Sequence, residues 1–315
     1  MLVLSGTDTL GAEGTFADTV VSVGVFDGVH LGHAAVIGEL VAAKQRERAS
    51  RSIVLTFENH PLAVTHPEAV PPLLSTLEEK LSIMERLAVD VALVEPFTPA
   101  LAMVDYRAFI ERSLVARLGM RRLVVGYDLH LGRAREGTQE RLVVEGKRIG
   151  FGVTVVAPVV VQGSVVSSTR IRGMILERKL EQAARCLGRP YFFDAAVVRG
   201  EGIGRRIDFP TANLEVRDPR KLLPPRGVYA VEIDAAGSRR GGMMNVGSAP
   251  TVRSDGTRRI EVHILDFSGE LYGERVRVHC LRFLREERRW KDTDELRAQL
   301  MQDREAVRRV LEKKH

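Results

Sequence analysis

Short apolar blocks alternate with helix-length amphipathic stretches through the first half of the chain. Val20, Val21, Val23 and Val25 form a run that predicts a buried strand, and residues 34–48 predict the helix that follows. Further short apolar runs at residues 53–57, 91–94, 123–125 and 153–156 predict more strands. Between them, Leu77, Leu81, Met84 and Leu87 recur at helical spacing, and Ser75 with Glu78 reads as their capping box. Residues 106–117 predict a second amphipathic helix. This βαβα alternation predicts a Rossmann-like α/β domain with an open, mostly parallel sheet, whose ligands bind outside the carboxyl ends of the strands.

The pattern changes near Leu187-Gly188-Arg189-Pro190. Beyond it, β-rich runs at 192–199, 228–233, 243–246, 260–265 and 275–283 are punctuated by Pro224-Pro225, Gly241-Gly242 and Gly269. Such spacing predicts an antiparallel β-barrel closed by a C-terminal helix from about Thr293. The expected domains are therefore 1–186 and 187–315, and a length of 315 residues agrees with two cores.

Composition narrows the class. No apolar run approaches the ~20 residues that span a bilayer, and the N-terminal residues lack the pattern of a secretory signal. Cys186 and Cys280 lie far apart and read as buried thiols of a cytoplasmic protein. The net charge is +6, with much of the excess in the last thirty residues, where acidic residues interrupt the arginines and lysines throughout. Trp290 is the only tryptophan, so aromatic interleaving for base stacking is lacking. That mixture predicts a solvated helix rather than a nucleic-acid surface, and small phosphorylated molecules as partners. The oligomeric state stays open.

The chemistry concentrates in a few segments. Gly24-Val25-Phe26-Asp27-Gly28-Val29-His30-Leu31-Gly32-His33 falls at a strand-to-helix corner, where free amides and the helix dipole favour an anion. His30 and His33 are spaced to face the same way on a first turn, and Gly28 and Gly32 let backbone approach a ligand. Imidazoles and amides there suit a triphosphate; the bland alternative is a core histidine beside a capping one. Ser167-Ser168-Thr169-Arg170-Ile171-Arg172 offers hydroxyls and guanidinium groups for a phosphate clamp, or ordinary N-caps. Asp128 closes one strand and Phe57-Glu58-Asn59-His60-Pro61 another, so both fall on the ligand rim.

In the second half, Gly200-Glu201-Gly202-Ile203-Gly204 is no dinucleotide fingerprint, because no helix follows to receive a pyrophosphate. A glycine flap over phosphates, or a plain turn, remains open. Thr211 and Asn213 share one face of an extended segment and present hard oxygen ligands suited to Mg²⁺. Glu261 opens a strand, where a carboxylate can accept an alcohol proton or merely face solvent. Asn245-Val246-Gly247-Ser248-Ala249-Pro250-Thr251 reads as a loop of undetermined purpose.

Together these segments resemble the bifunctional riboflavin kinase/FMN adenylyltransferase family, the bacterial FAD synthetases. The likeness spans nearly the whole chain, with seven motifs in family order: FDGVHxGH, FxxHP, SSTRIR, LGRPY, FPTANL, NVGxxPT and EVHxLDF. It implies a nucleotidyltransferase domain followed by a riboflavin kinase barrel, converting riboflavin to FMN and then FAD with two ATP. It implies that His30 and His33 stabilise adenylyl transfer and that Gly24, Phe26, Asp27, Gly28, Gly32 and Asn59 shape the nucleotide site. Asp128 would lie near nucleotide and flavin, and Ser168, Thr169 and Arg172 would clamp the triphosphate. In the barrel, Gly200, Gly202, Gly204, Pro210 and Asn245 would line the substrates, Thr211 and Asn213 would hold Mg²⁺–ATP, and Glu261 would deprotonate the ribityl hydroxyl. Leu129 and Leu131 replace the family's usual aromatic residues, so a second reading keeps the kinase and treats the first domain as degenerate.

Overall fold

A computed structural model of the chain describes residues 1–7, 16–200, 209–248, 258–288 and 290–313. Contacts group it into two units, Met1–Ser168 and Thr169–His315.

The first unit is built on strands β1 (Leu2–Ser5), β2 (Thr19–Val23), β3 (Arg51–Phe57), β4 (Val91–Glu95), β5 (Met120–Gly126) and β6 (Gly152–Val156). They pair in the order β1-β4-β3-β2-β5-β6, every pair parallel. All five residues of β2 and of β4 are buried, as expected of parallel strands covered on both faces. The covering helices are α1 (Leu31–Glu47), the single turn α2 (Leu62–Thr65), α3 (Leu77–Arg86), the single turn α4 (Pro99–Ala102), α5 (Tyr106–Phe109) and α6 (Gln139–Ile149). A π-helical stretch, Ile110–Arg117, continues α5 and completes the helix expected over 106–117. Val21, Ile53, Leu55, Leu93, Ile110, Leu114 and Leu123 meet in one core. A small antiparallel hairpin, β7 (Val160–Val161) and β8 (Ser164–Val165), precedes α7 (Ser168–Leu176).

Two local expectations need correction. The capping box of α3 is Thr76 with Glu79, one residue later than Ser75 with Glu78, because Ser75 is engaged by the segment around Asp27. Helix α1 begins at Leu31 rather than at residue 34, capped by His30 itself.

Within the second unit, helix α8 (Leu180–Leu187) precedes the barrel strands and ends at Gly188, whose φ of 72° suits a glycine. Strands β9 (Tyr191–Val198), β10 (Ala212–Glu215), β11 (Gly227–Ala235), β12 (Ser238–Ser248), β13 (Arg258–Ile264) and β14 (Arg275–Arg285) close a barrel in the order β10-β13-β12-β11-β14-β9. Along β13, buried Ile260, Val262 and Ile264 alternate with less buried Glu261 and His263, so the former point inward and the latter outward. Helix α9 (Thr293–Glu312) follows the last strand, and its Val307 packs with Phe209, Ala230, Met243 and Leu265.

Candidate active sites

In the first unit, the carboxyl end of β2 runs through a tight segment into α1. Phe26, Gly28 and Val29 have φ of 51°, 77° and 36°. The left-handed region is costly for a β-branched residue, on the order of 1–3 kcal/mol, and persists only where surrounding bonds enforce it. Those bonds are visible. The Asp27 carboxylate accepts from the amides of Leu74 at 3.0 Å and Ser75 at 2.9 Å, and the Gly28 amide donates to Ser75 Oγ at 2.9 Å. Ser168 Oγ donates to the Asp27 carbonyl at 2.9 Å. Gly28 itself could not be alanine, since a Cβ would sit 2.9 Å from Leu74 besides meeting the positive φ.

This turn delivers the histidines. His30 is buried, and its Nδ1 accepts the His33 amide at 3.3 Å as the N-cap of α1. The two rings stack with centroids 3.6 Å apart and planes 16° apart, and Phe26 meets His33 edge-on at 5.3 Å. At Gly32 a Cβ would come within 3.1 Å of the His30 ring, so the glycine admits that ring position. The outcome is two imidazoles at a helix N-terminus on the sheet's carboxyl edge, chemistry that favours an anion.

The rest of this edge is held by side chains. Asn59 engages both ends of its amide with the Phe97 backbone, at 2.9 Å each, tying the segment after β3 to the one after β4. Asp128 is exposed just beyond β5. Ser168 opens α7, which continues through exposed Thr169 to buried Arg172 one turn on. Leu131 is buried in the core of the sheet unit, and Leu129 packs against that core. Lys80 was not singled out by sequence. It sits on the face of α3 that buries Ile83 and Met84, and its Nζ donates to Val25 O at 3.1 Å, Thr56 Oγ1 at 2.9 Å and Phe57 O at 3.1 Å. Burial pushes this amine down to about 8, against the opposing pull of Asp27. A lysine at helical spacing from Ile83, Met84 and Leu87 was the available signal.

In the barrel, register assembles the second site. Glu261 of β13 stands directly opposite Asn213 of β10 on one side and Asn245 of β12 on the other. Directly paired residues share a face with Cβ atoms about 5 Å apart, so the three side chains form one row on the outer wall. Asn245 therefore lies in a strand rather than the loop expected from sequence. Arg259, two residues before Glu261 on the same face, pairs with its carboxylate at 2.8 Å. A Cβ on Gly200 would overlap the Asn213 side chain, so glycine lets the backbone just past β9 lie against it. The Pro210 carbonyl accepts from His263 Nδ1 at 2.8 Å, placing half-buried Thr211 just before β10. Burial lowers the His263 pKa, with that hydrogen bond opposing. Gly202 and Gly204 lie outside the described residues. Arg259 was missed by sequence although its position two residues from Glu261 was the signal.

Two family models match successive parts of the chain. Residues 13–170 match FAD synthetase and residues 187–311 match riboflavin kinase. A bifunctional riboflavin kinase/FMN adenylyltransferase from Listeria monocytogenes is 37% identical over 301 residues, covering 94% of this chain and 93% of the relative. The chain belongs to the bifunctional riboflavin kinase/FMN adenylyltransferase family. Relatives of the same description from Escherichia coli K12 (36% identical, 90% of each chain) and Bacillus subtilis (34%, 93% of this chain and 92% of the relative) agree. A crystal structure described as a macrolide-efflux protein from Streptococcus pneumoniae superposes with a TM-score of 0.88 at 29% identity, covering 98% of this chain and 99% of that one. The two thus share a fold, and among the described residues no helix here is long and apolar enough to cross a membrane. Within the family frame, the histidine corner belongs to the FAD synthetase part and the Asn213–Glu261–Asn245 row to the riboflavin kinase part.

Proposed function

We propose that this chain phosphorylates riboflavin to FMN in its barrel and joins FMN to the adenylyl group of ATP in its sheet unit, releasing pyrophosphate. The observation that carries the reading is the row Asn213–Glu261–Asn245, in which three separate family motifs meet on adjacent strands. A functional boundary at residues 186/187 separates the two activities.

In the barrel, Glu261 accepts the proton of the terminal ribityl hydroxyl as its oxygen attacks the γ-phosphorus of ATP, and ADP leaves. Arg259 holds one side of that carboxylate. Thr211 and Asn213 supply a hydroxyl and an amide oxygen, a donor set that fits Mg²⁺ held largely by nucleotide phosphates. Thr211 and Asn213 would hold such an ion where it could neutralise charge on the transferring phosphoryl group. Gly200, Gly202, Gly204 and Pro210 shape the nucleotide side, with Gly200 close over Asn213.

In the sheet unit, an FMN phosphate oxygen attacks the α-phosphorus of ATP directly, so the protein supplies position and charge stabilisation rather than a nucleophile. His30, His33 and the first amides of α1 receive the charge that develops on departing pyrophosphate. Ser168, tied to the Asp27 carbonyl, is this unit's share of the triphosphate clamp. Gly24, Phe26, Asp27, Gly28 and Gly32 shape this corner, the Asp27 carboxylate by holding the turn. Asn59 and Asp128 complete the rim. Burial of Leu131 in the core supports an active unit over a degenerate one, because the departure from aromatic residues is absorbed by packing. Two free, buried cysteines fit a cytoplasmic setting.

Incubation with FMN, ATP and Mg²⁺ is expected to yield FAD and pyrophosphate, and riboflavin is expected to drive ADP release. Absence of FAD with riboflavin-dependent ADP release intact would leave the kinase alone standing.

A further inference from the structure

Asn245 carries more information than its place in the row. Its Nδ2 donates to Glu287 Oε1 at 3.1 Å, from the segment between β14 and α9. A carboxylate only accepts, so this bond decides which way round the amide sits: nitrogen toward Glu287, carbonyl oxygen away. That Oδ1 is buried and accepts no hydrogen bond among the described residues. Buried amide oxygens are nearly always paired, and an orphan beside a reactive carboxylate is a place for a donor that arrives with a ligand.

Gly247 leaves room for this carboxylate. A Cβ there would lie 2.6 Å from Glu287 Oε1, so glycine makes room for Glu287 beside Asn245. Gly247 is two residues along β12 from Asn245 and shares its face.

We propose that Glu287 is a positioning residue of the kinase site, holding the Asn245 carbonyl as an acceptor for a hydroxyl of the substrate's polyol chain. The inference rests on the reading of Glu261 as the base of the same site. A flipped amide would present two N–H donors toward Glu261 and toward hydroxyls whose protons must be accepted there. With Glu287 in place that orientation is unfavourable, and the incoming alcohol finds an acceptor next to the base.

The test measures riboflavin-dependent ADP release in the full-length protein, with thermal unfolding of the barrel followed in the same preparation as the control of folding. Glu287→Leu is expected to lower kcat/KM for riboflavin about tenfold, which corresponds to about 1.4 kcal/mol. Glu287→Gln, whose amide oxygen can still accept, is expected to recover most of that loss. Asn245→Leu should match Glu287→Leu, and the double variant should be no worse than either, since both remove one unit. Gly247→Ala, which displaces the carboxylate, should show the same loss should Glu287→Leu not fold. Unchanged kcat/KM in Glu287→Leu or Gly247→Ala, or losses that simply add in the double variant, would overturn the proposal. Retention of kinase turnover by Glu261→Gln would instead overturn the underlying reading of the row.

Discussion

His33 donates its backbone amide to the ring of His30 while its own ring stacks on that same ring, 3.6 Å between centroids. One imidazole therefore caps α1 and braces the other. Replacing both by alanine removes the cap and both imidazoles from the corner. His30→Ala with His33→Ala is expected to lower adenylyl transfer at least about a hundredfold, the scale of losing charge stabilisation in a transition state. Riboflavin phosphorylation in the same preparation should change less than about twofold, by an ADP-release assay.

Glu261 and Arg259 give the converse experiment. Glu261→Gln keeps the size of the side chain but removes its ability to take a proton. FMN formation is expected to fall by about 10²–10⁴, as for loss of a general base, while adenylylation of supplied FMN persists. Equal loss of both reactions in folded protein would contradict separate sites.

How far these sites could be read from sequence depended on distance along the chain. The valine run at residues 20–25 announces a buried strand because its period is local, and the sheet and barrel followed from such runs. Strand β1 was not expected, because its four residues are mostly exposed and carry no alternation. Ser75 and Thr76 each precede a glutamate by three positions, so the two capping frames look alike in sequence. What separates them is Asp27, which takes up Ser75 from 48 positions away. Similarly, FPTANL, NVG and EVH are each visible as motifs. Their alignment into Asn213–Glu261–Asn245 exists only in the barrel register, and Glu287 reaches Asn245 across 42 positions. Non-local pairing leaves no periodic trace.

Leu131 tests whether the departure from aromatic residues is a matter of packing. It is 6% exposed and belongs to the core that includes Tyr106 and Phe109. Leu131→Ala is expected to destabilise the sheet unit by about 2–4 kcal/mol, the range for a buried leucine truncated to alanine. Leu131→Phe should cost about 1–3 kcal/mol through overpacking, rather than improve flavin handling. Denaturant unfolding measures both. A stabilised Leu131→Phe variant with faster adenylyl transfer would show the position to be functional instead.

Asp234 and His279 set an acid limit on the barrel. His279 Nε2 donates to Asp234 Oδ2 at 2.9 Å, and Arg239 reaches the two carboxylate oxygens at 2.7 and 3.0 Å. Burial raises the Asp234 pKa, but hydrogen bonds from Arg239 and His279 outweigh it and hold the carboxyl at about 2. For His279 burial dominates and lowers its pKa, with Asp234 opposing. Both groups are depressed in the folded state, so both contributions are present at neutral pH and disappear as pH falls. The His279 part starts to fade below its ordinary 6.5, and the Asp234 part between about 4 and 2. Asp234→Asn is expected to lower the melting temperature by about 2–4 °C at pH 7, a modest figure because solvent screens the pair. The variant should also flatten the decline between pH 4 and 2; an unchanged slope would place the acid sensitivity elsewhere.

Lys80 links the stability of the first unit to its histidine corner. Its three hydrogen bonds join the ends of β2 and β3, and one of them holds the Val25 carbonyl just before the strained turn. Lys80→Met keeps the apolar stem but leaves two carbonyls and a hydroxyl without that donor. Unfolding free energy is expected to drop by about 2–4 kcal/mol, given the cost of unsatisfied buried acceptors. The pH dependence is distinctive. The folded amine has its pKa near 8, below the ordinary 10.5, so between these values the unfolded chain binds more protons. Stability from this group therefore rises with pH across that window, and the deficit of Lys80→Met should widen between pH 8 and 10. Adenylyl transfer should fall with the loss of the strap, because Val25 leads directly into the turn that carries His30, while the kinase reaction is retained. Thermal unfolding at pH 7.5 and 9.5 reads the first effect and FAD formation reads the second. A variant as stable as the parent at both pH values, with unchanged FAD formation, would remove Lys80 from the account of this corner.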